Sequence, residues 1–143
     1  MLIRETHPAP LFQNTWGDGL YLVFSNVSEA GSFALKLAKR MALIDLDKLG
    51  LPKTLALRMS LHAGPVYRYQ DQIIDRPNYL GSHVNRAARI EPVTPPGQIY
   101  VTDAFAALAE LDAPGQFRFN YVGKIPLAKS YGEFPIYNML AGE

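Results

Sequence analysis

At 143 residues, of which 48% are hydrophobic, the chain has the length of one domain and enough apolar material for one core. Its 14 Lys and Arg stand against 13 Asp and Glu, which excludes both the broad basic field that invites nucleic acid and the polybasic run that invites an anionic membrane. The lack of cysteine removes disulfides, thiolate metal sites and cysteine nucleophiles; with no spanning apolar run and no signal-peptide core, the chain is expected to be soluble and cytoplasmic. A small molecule or another protein is then its expected partner, with no nucleic acid and no membrane.

Leu11 to Trp16 and Leu20 to Phe24 are short extended runs around Gly17-Asp18-Gly19, a strong hairpin signal with Asp18 at the tip. Ser28 is expected to cap a helix whose apolar residues Phe33, Leu37, Met41 and Ile44 recur every three or four positions, with Gly50 and Pro52 to end it. From Leu55 to Leu61 apolar and polar residues alternate as in a strand with one buried face, and Gly64-Pro65 turns the chain into Val66 to Tyr69. The polar stretch Asp71 to Asn78, with Pro77, reads as a loop. Ser82 to Ile90 reads as a helix broken by Pro92, Pro95, Pro96 and Gly97. Gln98 to Val101 is a short strand, Thr102 caps a helix through Leu108, and Phe117 to Val122 and Phe134 to Leu140 are closing strands. The order ββαββαβαββ predicts an α+β fold with mostly antiparallel pairing.

Three residues stand out for chemistry. Asp18 sits between two glycines, where a ligand or metal can approach a carboxylate closely, although Asp-Gly is also simply what tight hairpins use. Asn85 and Arg89 are four apart, so both leave one face of the helix beside the small Ala87 and Ala88. An amide and a guanidinium on one face suit a sugar and a phosphate; the same spacing also describes an ordinary surface pair. His62 has no second His or carboxylate at ligand spacing and reads as a satisfied core histidine, and His83 reads as a surface residue. Tyr67, Tyr69, Phe117, Phe119 and Tyr121 alternate as sheet residues do and read as core or interface packing.

Taken together, GDGLYLVF at Gly17 to Phe24, LHAG at Leu61 to Gly64, GSHVNRAARIE at Gly81 to Glu91 and PPGQIYVTD at Pro95 to Asp103 resemble the class III adenylate and guanylate cyclase catalytic domain. The order and spacing of the four segments agree with that family from Asn14 to Tyr137. The resemblance implies a ferredoxin-like sandwich of a mostly antiparallel sheet with helices, lacking the first strand of the family; residues 1–13 would be an N-terminal remnant and residues 14–143 the cyclase homology domain. It also implies a purine nucleotide cyclase reaction in intracellular signalling, of the adenylate cyclase kind. ATP or GTP would be the substrate, Mg2+ or Mn2+ the cofactor and a homodimer the working form. A non-catalytic nucleotide-binding or dimerisation module of the same fold is the alternative.

By the same resemblance Asp18 is a metal ligand, Asn85 orients the ribose and Arg89 stabilises charge developing on the α-phosphate. Asn14 and Asn78 occupy the base-reading positions, where an amide that both donates and accepts chooses neither adenine nor guanine. Lys129 lies near the family's phosphate-binding lysine. The family's first metal-binding Asp belongs to an F-x-D segment, which Met1 to Gln13 lacks. The 143-residue chain by itself is therefore expected to be inactive.

Overall fold

The computed structural model describes residues 10–16, 19–52, 56–65, 67–73 and 76–142. The first hairpin is as expected: β1 (Phe12–Trp16) pairs antiparallel with β2 (Gly19–Val23), Asn14 lying opposite Tyr21. Gly17 and Asp18 lie outside the described residues, as do Leu55, Val66 and Asp75.

Helix α1 (Val27–Ala42) is capped by Asn26 rather than by Ser28. Asn26 has extended backbone, its Oδ1 accepts from the Glu29 amide at 2.9 Å, and its Nδ2 donates to the Glu29 carboxylate at 3.0 Å. One backbone N–H that a helix start leaves unpaired is thereby satisfied, and the second bond holds the capping side chain in place. Ser28 falls one residue inside the helix, where its hydroxyl donates to Gln116 at 2.8 Å. The helix also ends sooner than the apolar spacing suggests. Past Ala42 the carboxylate of Asp45 accepts from the Lys48 amide at 3.3 Å, which opens a separate turn and leaves Ile44 exposed.

A four-stranded sheet in the order β3 (Met59–Leu61), β6 (Ile99–Thr102), β8 (Gly132–Ala141), β7 (Phe117–Leu127) is the centre of the fold. β3 (Met59–Leu61), shorter than its alternation predicts, runs parallel to β6 (Ile99–Thr102). A parallel neighbour needs a long crossover, which here carries a hairpin and helix α2 (Ser82–Ile90). The hairpin is a correction, because β4 (Tyr67–Asp71) pairs with β5 (Arg76–Leu80) across residues that read as a loop. Pro77 was the misleading signal. In a two-stranded ribbon each strand has an outer edge, so a residue without an N–H need not break the ladder.

Thr102 caps helix α3 (Asp103–Asp112) as expected, its Oγ1 accepting from the Phe105 amide at 3.2 Å, and the helix runs one turn past Leu108. β7 (Phe117–Leu127) and β8 (Gly132–Ala141) then form a longer hairpin than the two runs predicted from sequence.

β6 is buried at all four positions because the sheet is covered on both faces. Ile99 and Val101 join Phe117, Met139 and the α1 and α3 side chains Val27, Ala34, Phe105, Ala106 and Ala109 on one face. Tyr100 joins Ile90, Leu127 and Ile136 on the other, with Phe134 and Tyr131 at its margin. β7 serves both clusters with odd-numbered residues, Phe117 on the first face and Leu127 on the second. A bulge makes this work: Tyr121 pairs with Tyr137 but Gly123 pairs with Ile136, so Val122 is an extra residue and every later side chain changes face.

Candidate functional site

Helix α2 carries the two most specific sequence candidates, and the chain holds it from several directions. Gly81 offers no capping side chain at its start. The first turn is tied instead through the Ser82 carbonyl, which accepts from the Tyr131 hydroxyl at 3.3 Å, and through His83. In the middle, the Ser60 hydroxyl donates to the Ala87 carbonyl at 3.0 Å, joining the helix to β3. The Arg86 guanidinium lies 4.4 Å above the Phe134 ring, a cation–π contact with β8. At the end, Thr94 donates to the Ile90 carbonyl at 2.9 Å and Arg58 pairs with Glu91 at 3.0 Å. Val84 and Ile90 are buried, Asn85 is exposed and Arg89 half-buried. Asn85 and Arg89 therefore stand one turn apart on a helix whose apolar side is spent on packing.

Lys129 occupies the single-turn 3-10 segment Ala128–Ser130 between β7 and β8, exposed, with a left-handed φ of 59°. Non-glycine residues rarely adopt that region. Tyr131, two residues on, makes the bond to Ser82, so the lysine turn sits against the start of α2. Asn14 and Asn78 are not brought together in this way. They lie on separate two-stranded sheets, Asn78 opposite Tyr69 in the β4–β5 hairpin. Asp18, the candidate metal ligand, lies outside the described residues. Among the described residues no three His, Asp or Glu side chains converge as metal ligands. The carboxylate of Asp18 is chemically the hard oxygen donor that Mg2+ or Mn2+ prefers, whereas a histidine pair is not.

His62 is a satisfied, desolvated histidine as expected, and His83 corrects the sequence reading. His83 is half-buried rather than a surface residue, and His62 has a second histidine beside it: its Nε2 lies 2.8 Å from His83 Nδ1, while its Nδ1 lies 2.7 Å from Thr102 Oγ1. Burial lowers the His62 pKa from 6.5 to about 4, assisted by His83 and Arg86 and opposed by Asp103. Gly64 makes the fit tight, since a Cβ there would collide with the His83 ring. Twenty-one residues separate the two histidines, so local spacing held no sign of the pair.

The aromatic alternation is borne out along part of β7. Phe117 is buried, its ring 6.2 Å from Phe119, which in turn meets Phe105 edge-on at 6.5 Å; Tyr121 is exposed and packs on Tyr137 at 5.2 Å. A groove of about 460 Å3 along α3, lined by Asp103, Glu110, Phe119 and Tyr137 among others, contains none of the candidate site residues. No helix among the described residues is long and apolar enough to cross a membrane.

Residues 15–140 match the family Adenylate and Guanylate cyclase catalytic domain, and the chain belongs to that family, the class III nucleotide cyclases. The fold agrees. The guanylate cyclase domain of a protein from Catenaria anguillulae, solved in complex with GTP, superposes with a TM-score of 0.73 at 20% identity, over 92% of this chain and 73% of that one. An adenylyl cyclase from P. aeruginosa gives 0.73 at 17% identity, over 92% and 71%. An adenylate cyclase from Trypanosoma brucei, described in its monomeric state, gives 0.70 at 20% identity, over 88% and 69%. No curated protein matches the chain.

Proposed function

We propose that this chain is the catalytic domain of a purine nucleotide cyclase, of the adenylate cyclase kind, working in an assembly of two copies. The observation that carries the reading is the presentation of Asn85 and Arg89 from one turn of a buttressed helix in a chain of this family. In the reaction the ribose 3′ hydroxyl of ATP or GTP gives up its proton to solvent, its oxygen bonds to the α-phosphorus, the bond to the bridging oxygen breaks, and pyrophosphate leaves with that electron pair. Asn85 would orient the ribose by an amide hydrogen bond, and Arg89 would hold the α-phosphate oxygens as negative charge develops on them. Lys129 would add a point charge at the phosphates, and Asn14 and Asn78 would meet the base edge. Asp18 would hold Mg2+ or Mn2+, which when bound supplies activation of the hydroxyl and neutralisation of the phosphates. Asp18 of one copy would serve Asn85 and Arg89 of the other across a two-fold dimer, and the family's first metal-binding Asp, which Met1 to Gln13 lacks, would have to come from elsewhere for turnover.

The test is a titration with ATP and with GTP, each with and without manganese. Asp18→Ala is expected to remove the metal-dependent part of binding. Arg89→Ala is expected to lower any turnover about 100-fold or more with a much smaller effect on binding, because its contact strengthens only as charge develops. Equal loss of binding in both variants, indifferent to metal, would refute the assignment. One observation favours a second reading, a regulatory module that binds nucleotide without turning it over: both base-reading positions hold Asn, which selects no base. Metal-independent binding of ATP and GTP with equal affinity is the outcome that this reading expects.

A further inference from the structure

The contacts of Thr102, His62 and His83 form a chain with a direction. Thr102 Oγ1 already accepts the Phe105 amide, and Thr102 is only 1% exposed, so its hydroxyl proton needs an acceptor. His62 Nδ1, at 2.7 Å, is that acceptor. A neutral His62 with an unprotonated Nδ1 carries its proton on Nε2, which then donates to His83 Nδ1 at 2.8 Å. His83 in turn keeps its proton on Nε2. In this order the Thr102 hydroxyl, both ring nitrogens of His62 and His83 Nδ1 each have a partner. The reverse order strands the buried Thr102 proton, and a proton added to either ring sets two N–H groups, or an N–H and an O–H, against each other.

The chain also joins three elements. His62 follows the end of β3, Thr102 is the cap of α3, and His83 is in the first turn of α2, its ring held against Gly64. Asn85 and Arg89 follow on the same nine-residue helix, so a shift of that first turn is carried to both.

We propose that His62 and His83 are positioning residues: their hydrogen bond, oriented by Thr102, sets α2 so that Asn85 and Arg89 meet the nucleotide, and a proton entering the pair undoes it. This rests on α2 being the nucleotide-binding helix, as proposed above. The charged groups facing the pair are Arg86 on α2, which disfavours the added proton, and Asp103 on α3, which favours it. The lowered pKa of His62 agrees with a His62 ring kept neutral near pH 7.

The experiment has two arms, both on the full chain. In the first, nitrogen NMR of the histidine rings is expected to find the Nε2–H form of both His62 and His83 at pH 7.5, with the Asn85 and Arg89 amides shifting on acidification together with the rings. A proton on His62 Nδ1 at pH 7.5, or amides indifferent to the histidine titration, overturns the proposal. The second arm measures manganese–ATP and manganese–GTP affinity from pH 7.5 to 4, the range in which His62 takes up its proton, for the unmodified chain, His83→Ala and His83→Asn. His83→Ala is expected to weaken binding about fivefold at pH 7.5, the equivalent of one hydrogen bond. His83→Asn, whose Oδ1 can stand where Nδ1 was, is expected to restore affinity at pH 7.5. Titration of the phosphates is common to all three and cancels. If nucleotide binds but the three chains behave alike, the positioning role fails and the cyclase reading stands. If no nucleotide binds at all, the cyclase reading fails, and the NMR arm alone decides whether the pair sets α2.

Discussion

The two faces of the central sheet are held by different forces. Under α1 and α3 the contact is an apolar cluster of side chains from both helices and from β6, β7 and β8. Over the other face, α2 has a smaller apolar base around Ile90 and Ile136 and is fixed mainly by directional contacts: His62 to His83, Ser60 to Ala87, Tyr131 to Ser82, and Arg86 over Phe134. Apolar burial is strong and tolerant of direction; a hydrogen bond adds less net stability but specifies position. The face that carries Asn85 and Arg89 is therefore the one where geometry, more than stability, is specified.

The contrast predicts a graded series of effects. Phe105→Ala removes a ring that is 1% exposed on the α1–α3 face and is expected to cost about 3–5 kcal/mol in urea denaturation. A loss below about 1 kcal/mol would mean that this face is not the stabilising one. Gly31→Ala and Gly64→Ala are matched intrusions on the two faces. The first drives a Cβ to 2.5 Å from the Phe117 ring and the second drives one into His83. Each is expected to cost about 1–3 kcal/mol in thermal unfolding. Only Gly64→Ala should move the backbone amides of Asn85 and Arg89, and equal movement from Gly31→Ala would erase the distinction.

Thr102→Val tests the residue shared by both regions, since its hydroxyl caps α3 and meets His62. A loss of about 1–2 kcal/mol is expected, with Thr102→Ser close to the unmodified chain. Acid is the last probe, and between pH 7 and 6 the mildest. His62 titrates at about 4 in the folded chain and near 6.5 when unfolded, so the unfolded state binds the proton first. Its contribution is fully present above pH 6.5 and is lost as pH falls from there to about 4. Denaturation midpoints of His62→Gln should decline less over that window, and an identical decline would remove His62 from the account.

Much of the fold was legible because its signals are local. The Asp-Gly hairpin, the period of α1, the Thr102 cap and the motif Gly81 to Glu91 each lie within one element, where backbone geometry alone relates neighbours. The misreadings also have local causes. Pro77 reads as a loop signal although an edge tolerates it, Asn26 is the cap in place of the expected Ser28, and the Asp45 turn ends α1 within an apolar pattern that continues. Of the candidate site, Asn85 and Arg89 were readable because helical spacing puts them on one face. Lys129 was placed beside α2 only by the Tyr131 bond.

From its own order of residues, then, the chain determines its family, its helix and strand types and the face that Asn85 and Arg89 share, all set by spacings of a few residues. Tertiary structure decided what depends on distant segments meeting. The single extra residue at Val122 sends one strand to both faces of the sheet, and the pairing of His62 with His83 turns two histidines that read as separate into a link between β3, α2 and α3. The physical reason is that a hydrogen bond or a side chain's choice of face depends on which backbone lies opposite, and sequence spacing does not encode that distance.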